Sequence, residues 1–296
     1  MSAPRWPHPS QRPAPRGART NTPSDDVGTL PLPRATQAAV QAAGGVAGCS
    51  NLSLALNRLV DTWKPTFDGE EPGRRVTFLH ACQRIAGQPR SQQLLADYRQ
   101  RHETVLASYD IAPWLCRWVD ARLTRRLVIG LGIAHPLEVN LTLHRIGGFP
   151  YIPGSSVKGA TRAVAEDDNG VSSEVVRTAF GGRPEDPAGE QGGLVFFDAL
   201  PKMFELALEV MTPHQGPYYA DAGGSGKVPP ADWHGPTPIL FLAVEPGAVF
   251  TFAVATRQRW SRDRDLEGAV GWLRTALADG LGGKRSAGYG AFEVMP

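Results

Sequence analysis

The order of the periodic segments after Arg122 constrains the fold most. Alternating polar and apolar residues, as in Glu138–Leu143, are typical of a half-buried strand, whereas the apolar spacing in 266–277 is typical of an amphipathic helix. The pattern predicts helices at 157–166 and 266–277 and strands at 122–132, 138–143, 194–197, 204–211, 239–244, 249–255 and 291–295. Apart from embellishments, the order is strand, helix, strand, strand, helix, strand, as in the split βαβ or ferredoxin-like (RRM-like) domain. We therefore predict an α+β fold.

The chain before residue 121 has a different character. Residues 1–34 hold eight prolines and five arginines but almost no aliphatic residue, so they cannot bury enough apolar surface to offset the entropy of ordering. We predict a disordered tail, which is either a solubilising arm or a basic contact to RNA or a partner subunit. Residues 35–120 show helical spacing with a break at Gly87–Pro89 and a third short helix at 113–120. This predicts a helical extension ahead of a domain at 121–296.

Composition excludes several classes of protein. No apolar run approaches the roughly 20 residues of a membrane-spanning helix, and the polar N-terminus lacks the apolar segment of a secretory signal, so we expect a soluble, cytoplasmic protein. Cys49, Cys82 and Cys116 have neither chelate spacing nor a disulfide pattern, and no metal is expected. The formal net charge of +2 argues neither for nor against nucleic acid, so local clusters of charge must decide.

A glycine and two serines open the predicted helix near residue 157. The motif PGSSVKG contains Gly154, Ser155, Ser156 and Lys158, and the two serines are candidate N-caps. The N–H groups and the dipole of a helix N-terminus favour an anion, and Lys158 adds a full charge. Arg162 follows one turn later as a further candidate RNA contact. A capped helix without a ligand explains the same residues, so both interpretations stay open.

Residues 280–290 form a second glycine-rich loop, with five glycines among eleven residues. A backbone without Cβ atoms can approach a phosphate chain closely, basic side chains add charge, and a tyrosine can stack on a base. The candidate RNA contacts of this loop are Gly282, Gly283, Lys284, Arg285, Ser286 and Tyr289. A flexible turn is the alternative. A nucleotide-binding P-loop is excluded, because Ala278 stands where that motif requires its first glycine, and no cofactor is expected.

The tryptophans fall into two groups. Trp63, Trp114 and Trp118 lie in or beside apolar segments of the predicted helices and are assigned to the core. Trp233 follows Pro229-Pro-Ala-Asp in a long polar loop, 212–238. It either anchors that loop or contacts a neighbouring subunit, and we favour loop anchoring.

Three segments resemble one family of proteins. Phe149–Ala160 is similar to the PYIPGSSLKGA signature of the RAMP superfamily of CRISPR proteins, and Gly280–Phe292 is similar to the C-terminal glycine-rich loop of that superfamily. Leu208–Tyr219 and Pro229–Ile239 are similar to a passage of the sixth-subunit family of type III-B CRISPR (Cmr) effector complexes. The motifs occur in the expected order over about residues 122–296, so the chain is identified as a member of this family.

The resemblance implies a non-catalytic subunit of an antiviral ribonucleoprotein that targets foreign RNA. Such a subunit binds the CRISPR guide RNA at one end of the backbone filament, beside other RAMP subunits and the target RNA. The 212–238 insertion is then a candidate thumb or partner contact. Its candidate residues are His214, Tyr218, Tyr219, Lys227 and Trp233.

Two alternatives stay open. Some RAMP proteins are metal-independent, guide-processing endoribonucleases with a histidine general base, and His144, at the end of a predicted strand, is the candidate here. That alternative predicts cleavage of repeat RNA that stops in His144→Ala. The other is a capping subunit that contacts protein neighbours and barely touches RNA.

Overall fold

The computed structural model describes residues 30–109, 115–183, 191–221, 228–257 and 263–296. Ahead of the first strand, the described residues form helices α1 (Arg34–Ala42), α2 (Leu52–Arg58), α3 (Arg74–Ala86) and α4 (Pro89–Tyr109). Gly87 and Gln88 separate α3 from α4, which confirms the predicted break. Within the described part of the chain, no helix is both long and apolar enough to cross a membrane.

The N-terminal helices share one apolar core with the rest of the described chain. Phe78 and Ile85 of α3 belong to the same buried cluster as Phe250 and Phe252. Leu30 is also buried in this cluster, and the Gln37 side chain donates to its carbonyl at 2.9 Å. The folded chain therefore begins before residue 35, whereas residues 1–29 of the predicted tail lie outside the described residues. The division at residue 120 stays a prediction.

Eleven further α-helices and β-strands follow in the described residues, together with a short 3-10 helix at Arg285–Ala287. In chain order they are β1 (Cys116–Leu123), α5 (Gly154–Asp167), α6 (Ser173–Phe180), β2 (Leu194–Phe196), β3 (Leu200–Pro201), β4 (Leu206–Met211), α7 (Gly216–Asp221), β5 (Ile239–Val244), β6 (Val249–Thr256), α8 (Asp263–Asp279) and β7 (Phe292–Val294). This mixture of helices and antiparallel strands confirms the α+β class.

The main sheet has the strand order β2-β6-β1-β7, and β3 also pairs with β6. All of these pairs are antiparallel. Val119 of β1 lies opposite Phe252 of β6, and both are buried on the face against which α8 packs. Helices α5 and α8 contact each other on this side. The sheet therefore buries one face under this pair of helices.

A second, two-stranded sheet is inserted between β3 and β6. Its strands β4 and β5 pair antiparallel from Leu206↔Val244 to Met211↔Ile239. The connection 212–238 lies at the far end of this hairpin and contains α7, a helix that the sequence did not predict. An isolated β-bridge between Leu127 and Val244 connects this hairpin to the segment that follows β1.

Three local predictions are wrong between residues 113 and 143. Residues 116–120 are strand rather than helix, because Cys116–Leu123 pairs with β6 on one side and with β7 on the other. The strand predicted at 122–132 accordingly ends at Leu123. Glu138–Leu143 is not a strand: Glu138 has a left-handed φ of 71°, and Leu143 makes only an isolated bridge with Pro150.

The strand at 116–123 also changes the environment of Trp118. Successive residues of a strand point to opposite faces, so Val119 enters the core while Trp118 lies on the other face. Trp118 is 52% exposed, and its assignment to the core is wrong. Trp63 is half-buried, and Trp114 lies outside the described residues.

Candidate nucleic-acid interface

The N-terminus of α5 is capped by a distant carboxylate rather than by the predicted serines. Its N-cap is Pro153, so Ser155 and Ser156 lie in the first turn, where both are exposed. The N–H of Gly154 donates to Oδ1 of Asp198 at 2.7 Å. Asp198 therefore satisfies one of the N–H groups that were predicted to bind an anion and places a negative charge beside the helix N-terminus.

The two cations of α5, Lys158 and Arg162, lie close to other charged and polar groups. Arg162 is held in place, because its Nε donates to Oε1 of Glu166 at 2.8 Å and its Nη1 donates to the carbonyl of Gly181 at 3.2 Å. Burial, followed by the charges of Arg162 and Arg257, lowers the pKa of Lys158 below its usual value. An anion bound here would relieve this repulsion.

The glycine-rich loop 280–290 is closed by backbone hydrogen bonds. The N–H of Leu281 donates to the carbonyl of Gly290 at 2.9 Å, and Gly290 donates to Arg126 at 2.8 Å. Gly283 donates to Val128 at 2.8 Å. Gly290 has a φ of 75°, and a Cβ on it would lie 1.9 Å from the Leu281 carbonyl oxygen. Gly290 is therefore required where the two ends of the loop meet, and the N–H groups of Gly283 and Gly290 join the closed loop to residues 126–128.

A network of side chains joins this loop to the β4–β5 hairpin. Nη1 of Arg126 lies 3.0 Å from Oε2 of Glu209, and its Nη2 lies 3.2 Å from Oε1 of Glu245. The hydroxyl of Tyr289 donates to Oε2 of Glu209 at 2.9 Å. Burial and this bond to the carboxylate raise the pKa of Tyr289. Tyr289 thus has a structural contact, and its stacking on a base stays a prediction.

The tip of the loop presents charge to solvent. Lys284 has a left-handed φ of 58°, and its Nζ lies 3.9 Å from the Met211 sulfur. Arg285 and Ser286 are exposed, and neither side chain makes a hydrogen bond or ion pair with the described residues. Arg125 is exposed next to Arg126, whose carbonyl holds Gly290. Sequence reasoning missed Arg125, although the run Arg122-Leu-Thr-Arg-Arg was a visible signal.

Trp233 does not anchor the 212–238 insertion. It is 79% exposed, so the favoured interpretation is wrong. Hydrogen bonds hold the loop instead: Oε1 of Gln215 accepts from the N–H of Ala231 at 3.0 Å, and Pro213 accepts from Thr237 at 3.1 Å. Ala231, two residues before Trp233, is the buried residue among the described positions of this segment.

The other candidate residues of the insertion lie on or beside α7. The rings of Tyr218 and Tyr219 meet edge to face with centroids 5.4 Å apart, and Tyr219 is 67% exposed. His214 is exposed just before α7. Lys227 lies outside the described residues. The insertion therefore displays aromatic side chains to solvent, and their roles in RNA or partner contacts stay predictions.

His144 is packed as a structural residue. Its Nδ1 accepts the N–H of Gly147 at 2.9 Å, so the neutral ring carries its proton on Nε2. The ring stacks on Phe149 with centroids 4.9 Å apart and meets Tyr98 edge to face at 4.5 Å. Burial lowers its pKa, although the charge of Asp198 acts in the opposite direction. With Nδ1 occupied and Nε2 protonated, the neutral ring has no lone pair available to accept a proton.

The described residues contain no cluster of three or more histidine, cysteine or acidic side chains that could hold a metal ion. Cys49 is half-buried, and Cys82 and Cys116 are buried. Burial raises the pKa of Cys82, which keeps its thiol protonated.

Comparison with known sequences defines the class of the protein. The family model of the RAMP superfamily matches residues 121–293, and the chain belongs to that superfamily. This confirms the resemblance found in the sequence motifs. The chain is 34% identical over 223 residues to the CRISPR system Cmr subunit Cmr6 of Pyrococcus furiosus, a match that covers 56% of this chain and 64% of the relative. It is 25% identical over 184 residues to Cmr6 of Saccharolobus solfataricus, covering 60% and 57%. The matches thus span less than two thirds of these relatives.

Comparison with solved structures identifies a shared fold. A chain in the cryo-EM structure of the type III-B Cmr-beta complex bound to cognate target RNA superposes with a TM-score of 0.57 at 22% identity, covering 75% of this chain and 72% of that chain. The crystal structure of Cmr6 from Pyrococcus furiosus matches with a TM-score of 0.40 at 27% identity, covering 63% of this chain and all of the other (100%). The first of these similarities establishes a shared fold.

Proposed function

We propose that this chain is a non-catalytic, guide-RNA-binding subunit at one end of the backbone of a cytoplasmic type III-B CRISPR effector. Its partners would be the guide RNA, the target RNA and neighbouring RAMP subunits of the Cmr complex. The similarity to two Cmr6 proteins supports this proposal. Support also comes from the shared fold with a chain of a Cmr-beta complex that is bound to target RNA.

The strand order supports a ferredoxin-like assignment for the domain. Helix α5 follows β1, and α8 follows β6, so the chain runs strand, helix, strand, strand, helix, strand through β1, α5, β2, β6, α8 and β7. If β1, β2, β6 and β7 are counted as strands 1 to 4, their order across the sheet is 4-1-3-2. Helices α1–α4 would then be an N-terminal extension and β4–β5 an insertion. RNA-recognition modules share this framework.

The observation that carries the proposal is the exposed, basic tip of the 280–290 loop. Close packing accounts for Gly282 and Gly290, because a Cβ would lie 2.4 Å from the Val128 carbonyl oxygen in the first case and 1.9 Å from that of Leu281 in the second. The side chains of Arg285 and Ser286 are exposed and make no hydrogen bond or ion pair with the described residues. A rigid loop that holds a guanidinium and a hydroxyl in solvent suits contacts with phosphates, which position an RNA without reading its sequence. Base pairing of the guide would then supply the sequence specificity, as in other guided effectors.

The geometry of His144 supports a role without catalysis. A general base needs an available lone pair, and the neutral ring offers none while Nδ1 accepts from Gly147. Its stacking on Phe149 instead explains why a histidine is accommodated before the glycine–serine motif. We therefore favour the scaffold over the guide-processing endoribonuclease.

The test measures binding and cleavage of labelled repeat-containing guide RNA by the purified full chain across a salt titration. Because each phosphate contact contributes about 0.7 to the slope of log affinity against log salt for a single strand, Lys284→Ala/Arg285→Ala is expected to weaken binding and flatten the slope. The matched control is Arg84→Ala/Arg90→Ala, which removes the same charge from exposed positions on α3 and α4. An unchanged slope in the loop variant removes this loop from the interface. Metal-independent cleavage that stops in His144→Ala makes the chain an endoribonuclease.

A further inference from the structure

We propose that Arg257 completes a pocket with Lys158 and Arg162 that binds one phosphate of the RNA backbone. Neither the sequence motifs nor the glycine-rich loop includes Arg257, which directly follows β6. The inference rests on the proposed function, because the phosphate belongs to a bound RNA. It adds a third cation, from the end of a strand inside the sheet, to the two that α5 provides.

Hydrogen bonds fix the end of β6 beside the end of α6. The N–H of Arg257 donates to the carbonyl of Gly193 at 2.9 Å, and Gly193 in turn donates to the carbonyl of Thr178 at 2.8 Å. A Cβ on Gly192 would lie 2.4 Å from the carbonyl carbon of Phe180, so no side chain separates the two segments. The backbone of Arg257 is therefore held close to the last turn of α6.

Arg162 reaches the same place from α5. Its Nη1 donates to the carbonyl of Gly181, the residue that ends α6, at 3.2 Å. Lys158 lies one turn earlier on α5 and is half-buried. One face of α5 and the ends of α6 and β6 thus bring Lys158, Arg162 and Arg257 to one region of the surface.

The charges in this region are not balanced by the described carboxylates. Glu166 is shared, because its Oε1 lies 2.8 Å from Nε of Arg162 and its Oε2 lies 3.0 Å from Nη2 of Arg183. Nε of Arg257 is buried and has no hydrogen-bond acceptor among the described residues. The repulsion from Arg162 and Arg257 also contributes to the lowered pKa of Lys158. A buried guanidinium N–H without an acceptor calls for an anionic ligand.

A phosphodiester matches these requirements. Its two unesterified oxygens can accept from the planar guanidinium of Arg257 while the ammonium of Lys158 supplies a point charge. Glu166 keeps Arg162 oriented without neutralising all three cations. A free inorganic phosphate has the same chemistry, so the experiment must distinguish an RNA phosphate from a free anion.

The experiment compares Arg257→Gln with the full wild-type chain, using labelled single-stranded repeat RNA in a salt titration. Loss of one charge-assisted contact is expected to weaken binding about tenfold and to reduce the slope of log affinity against log salt by about 0.7. Arg90→Gln, an exposed arginine at the start of α4, is the control and is expected to bind like the wild type. If Lys158 and Arg257 hold one phosphate, Lys158→Gln/Arg257→Gln loses less affinity than the product of the two single losses.

Several outcomes would overturn the inference. Wild-type affinity in folded Arg257→Gln removes Arg257 from the interface and leaves the proposed function intact, whereas a wild-type chain that fails to bind RNA at low salt rejects both. Arg257→Lys keeps the charge, so it is the variant to use if Arg257→Gln unfolds in a thermal melt, and it is expected to lose about threefold or more because it lacks the planar fork. Equal affinity there rejects the inference. Stabilisation by inorganic phosphate that depends on Arg257, with unchanged RNA affinity, would assign a free-anion site instead.

Discussion

The hydroxyl of Tyr289 and the carboxylate of Glu209 share a 2.9 Å hydrogen bond that joins the glycine-rich loop to the β4–β5 hairpin. The same carboxylate oxygen lies 3.0 Å from Nη1 of Arg126, in the segment that follows β1. One oxygen atom therefore connects three parts of the chain that are distant in sequence. Because the hairpin carries the 212–238 insertion, the positions of both candidate contact surfaces depend on this junction.

Replacement of Tyr289 by Phe removes the hydroxyl and keeps the ring. We expect the free energy of unfolding to fall by about 1 kcal/mol, the usual net contribution of one hydrogen bond, in urea denaturation. Tyr219→Phe, at an exposed ring whose hydroxyl makes no hydrogen bond with the described residues, is the control and should leave the free energy of unfolding unchanged. RNA affinity separates the two roles of the side chain: if the ring stacks on a base, Tyr289→Phe binds RNA normally and Tyr289→Ala does not. Equal losses in both variants would attribute the effect to the hydroxyl.

Replacement of Arg126 by Met leaves Glu209 and Glu245 without their shared cation. We expect the free energy of unfolding to fall by about 1–2 kcal/mol at neutral pH. The expected change is small because the ion pairs are partly exposed. Burial acts to raise the pKa of Glu209, but the bonds from Arg126 and Tyr289 outweigh it and hold the pKa below its usual value.

The lowered pKa of Glu209 sets the pH dependence of this loss. A carboxylate with a lowered folded-state pKa stabilises the protein above its unfolded pKa, about 4.3, and this contribution disappears as the pH falls through the folded value. The difference between wild type and Arg126→Met should therefore be full at neutral pH and shrink below about pH 4. Arg274→Met, at an exposed position on α8, is the control. A difference that does not change with pH would mean that packing rather than charge causes the loss.

Elements with a clear local pattern of apolar residues are predictable from the sequence. The strand predicted at 239–244 is β5, Ile239–Val244, and the helix predicted at 266–277 lies inside α8, Asp263–Asp279. Residues 239–244 are a short apolar run between two prolines, which is typical of a buried strand, whereas the apolar residues of 266–277 repeat at the helix period. The glycine-rich loop 280–290 is likewise where its motif indicates, and the glycine–serine motif lies at the start of a helix, α5.

The errors occur where distant contacts decide the outcome. The apolar residues of Cys116–Leu123 fit either period, and pairing with β6, more than a hundred residues later, selects the strand and exposes Trp118. The cap of α5 could not be read locally either, because Asp198 lies 44 residues beyond Gly154. Arg257 belongs to no sequence motif, and it approaches α5 only in the folded chain, so its role could not be predicted from the sequence.

The glycine-rich loop should respond differently to substitution at two of its glycines. Both Gly288 and Gly290 have positive φ, but a Cβ on Gly288 meets nothing within 4 Å, whereas one on Gly290 would lie 1.9 Å from the Leu281 carbonyl oxygen. We expect Gly288→Ala to cost about 1–2 kcal/mol, the price of a left-handed conformation, and Gly290→Ala to cost about 3 kcal/mol or more. Thermal melts measure the difference. Equal losses would show that strain alone, and not close packing, requires Gly290.

Acid should destabilise the protein through His144. Burial lowers its pKa in the folded state, so the unfolded chain binds the proton more tightly. Its contribution to stability is therefore complete above the unfolded pKa, about 6.5, and decreases as the pH falls below that value. Replacement by Gln should reduce the slope of unfolding free energy against pH between about 6.5 and 5. His80→Gln, at an exposed position on α3, is the control. Identical slopes in wild type and His144→Gln would contradict this assignment.

The exposed Trp233 should matter for assembly rather than for folding. Since 79% of the residue is exposed, Trp233→Ala is expected to change the free energy of unfolding by no more than about 0.5 kcal/mol. A tryptophan buried at a protein interface contributes about 2 kcal/mol or more, so association with a co-expressed neighbouring RAMP subunit should weaken about thirtyfold. Met203→Ala, at a residue that is 66% exposed on the link between β3 and β4, provides the comparison. A lower melting temperature would show that Trp233 anchors its own loop. Weaker binding of RNA to the isolated chain would instead assign it to base stacking.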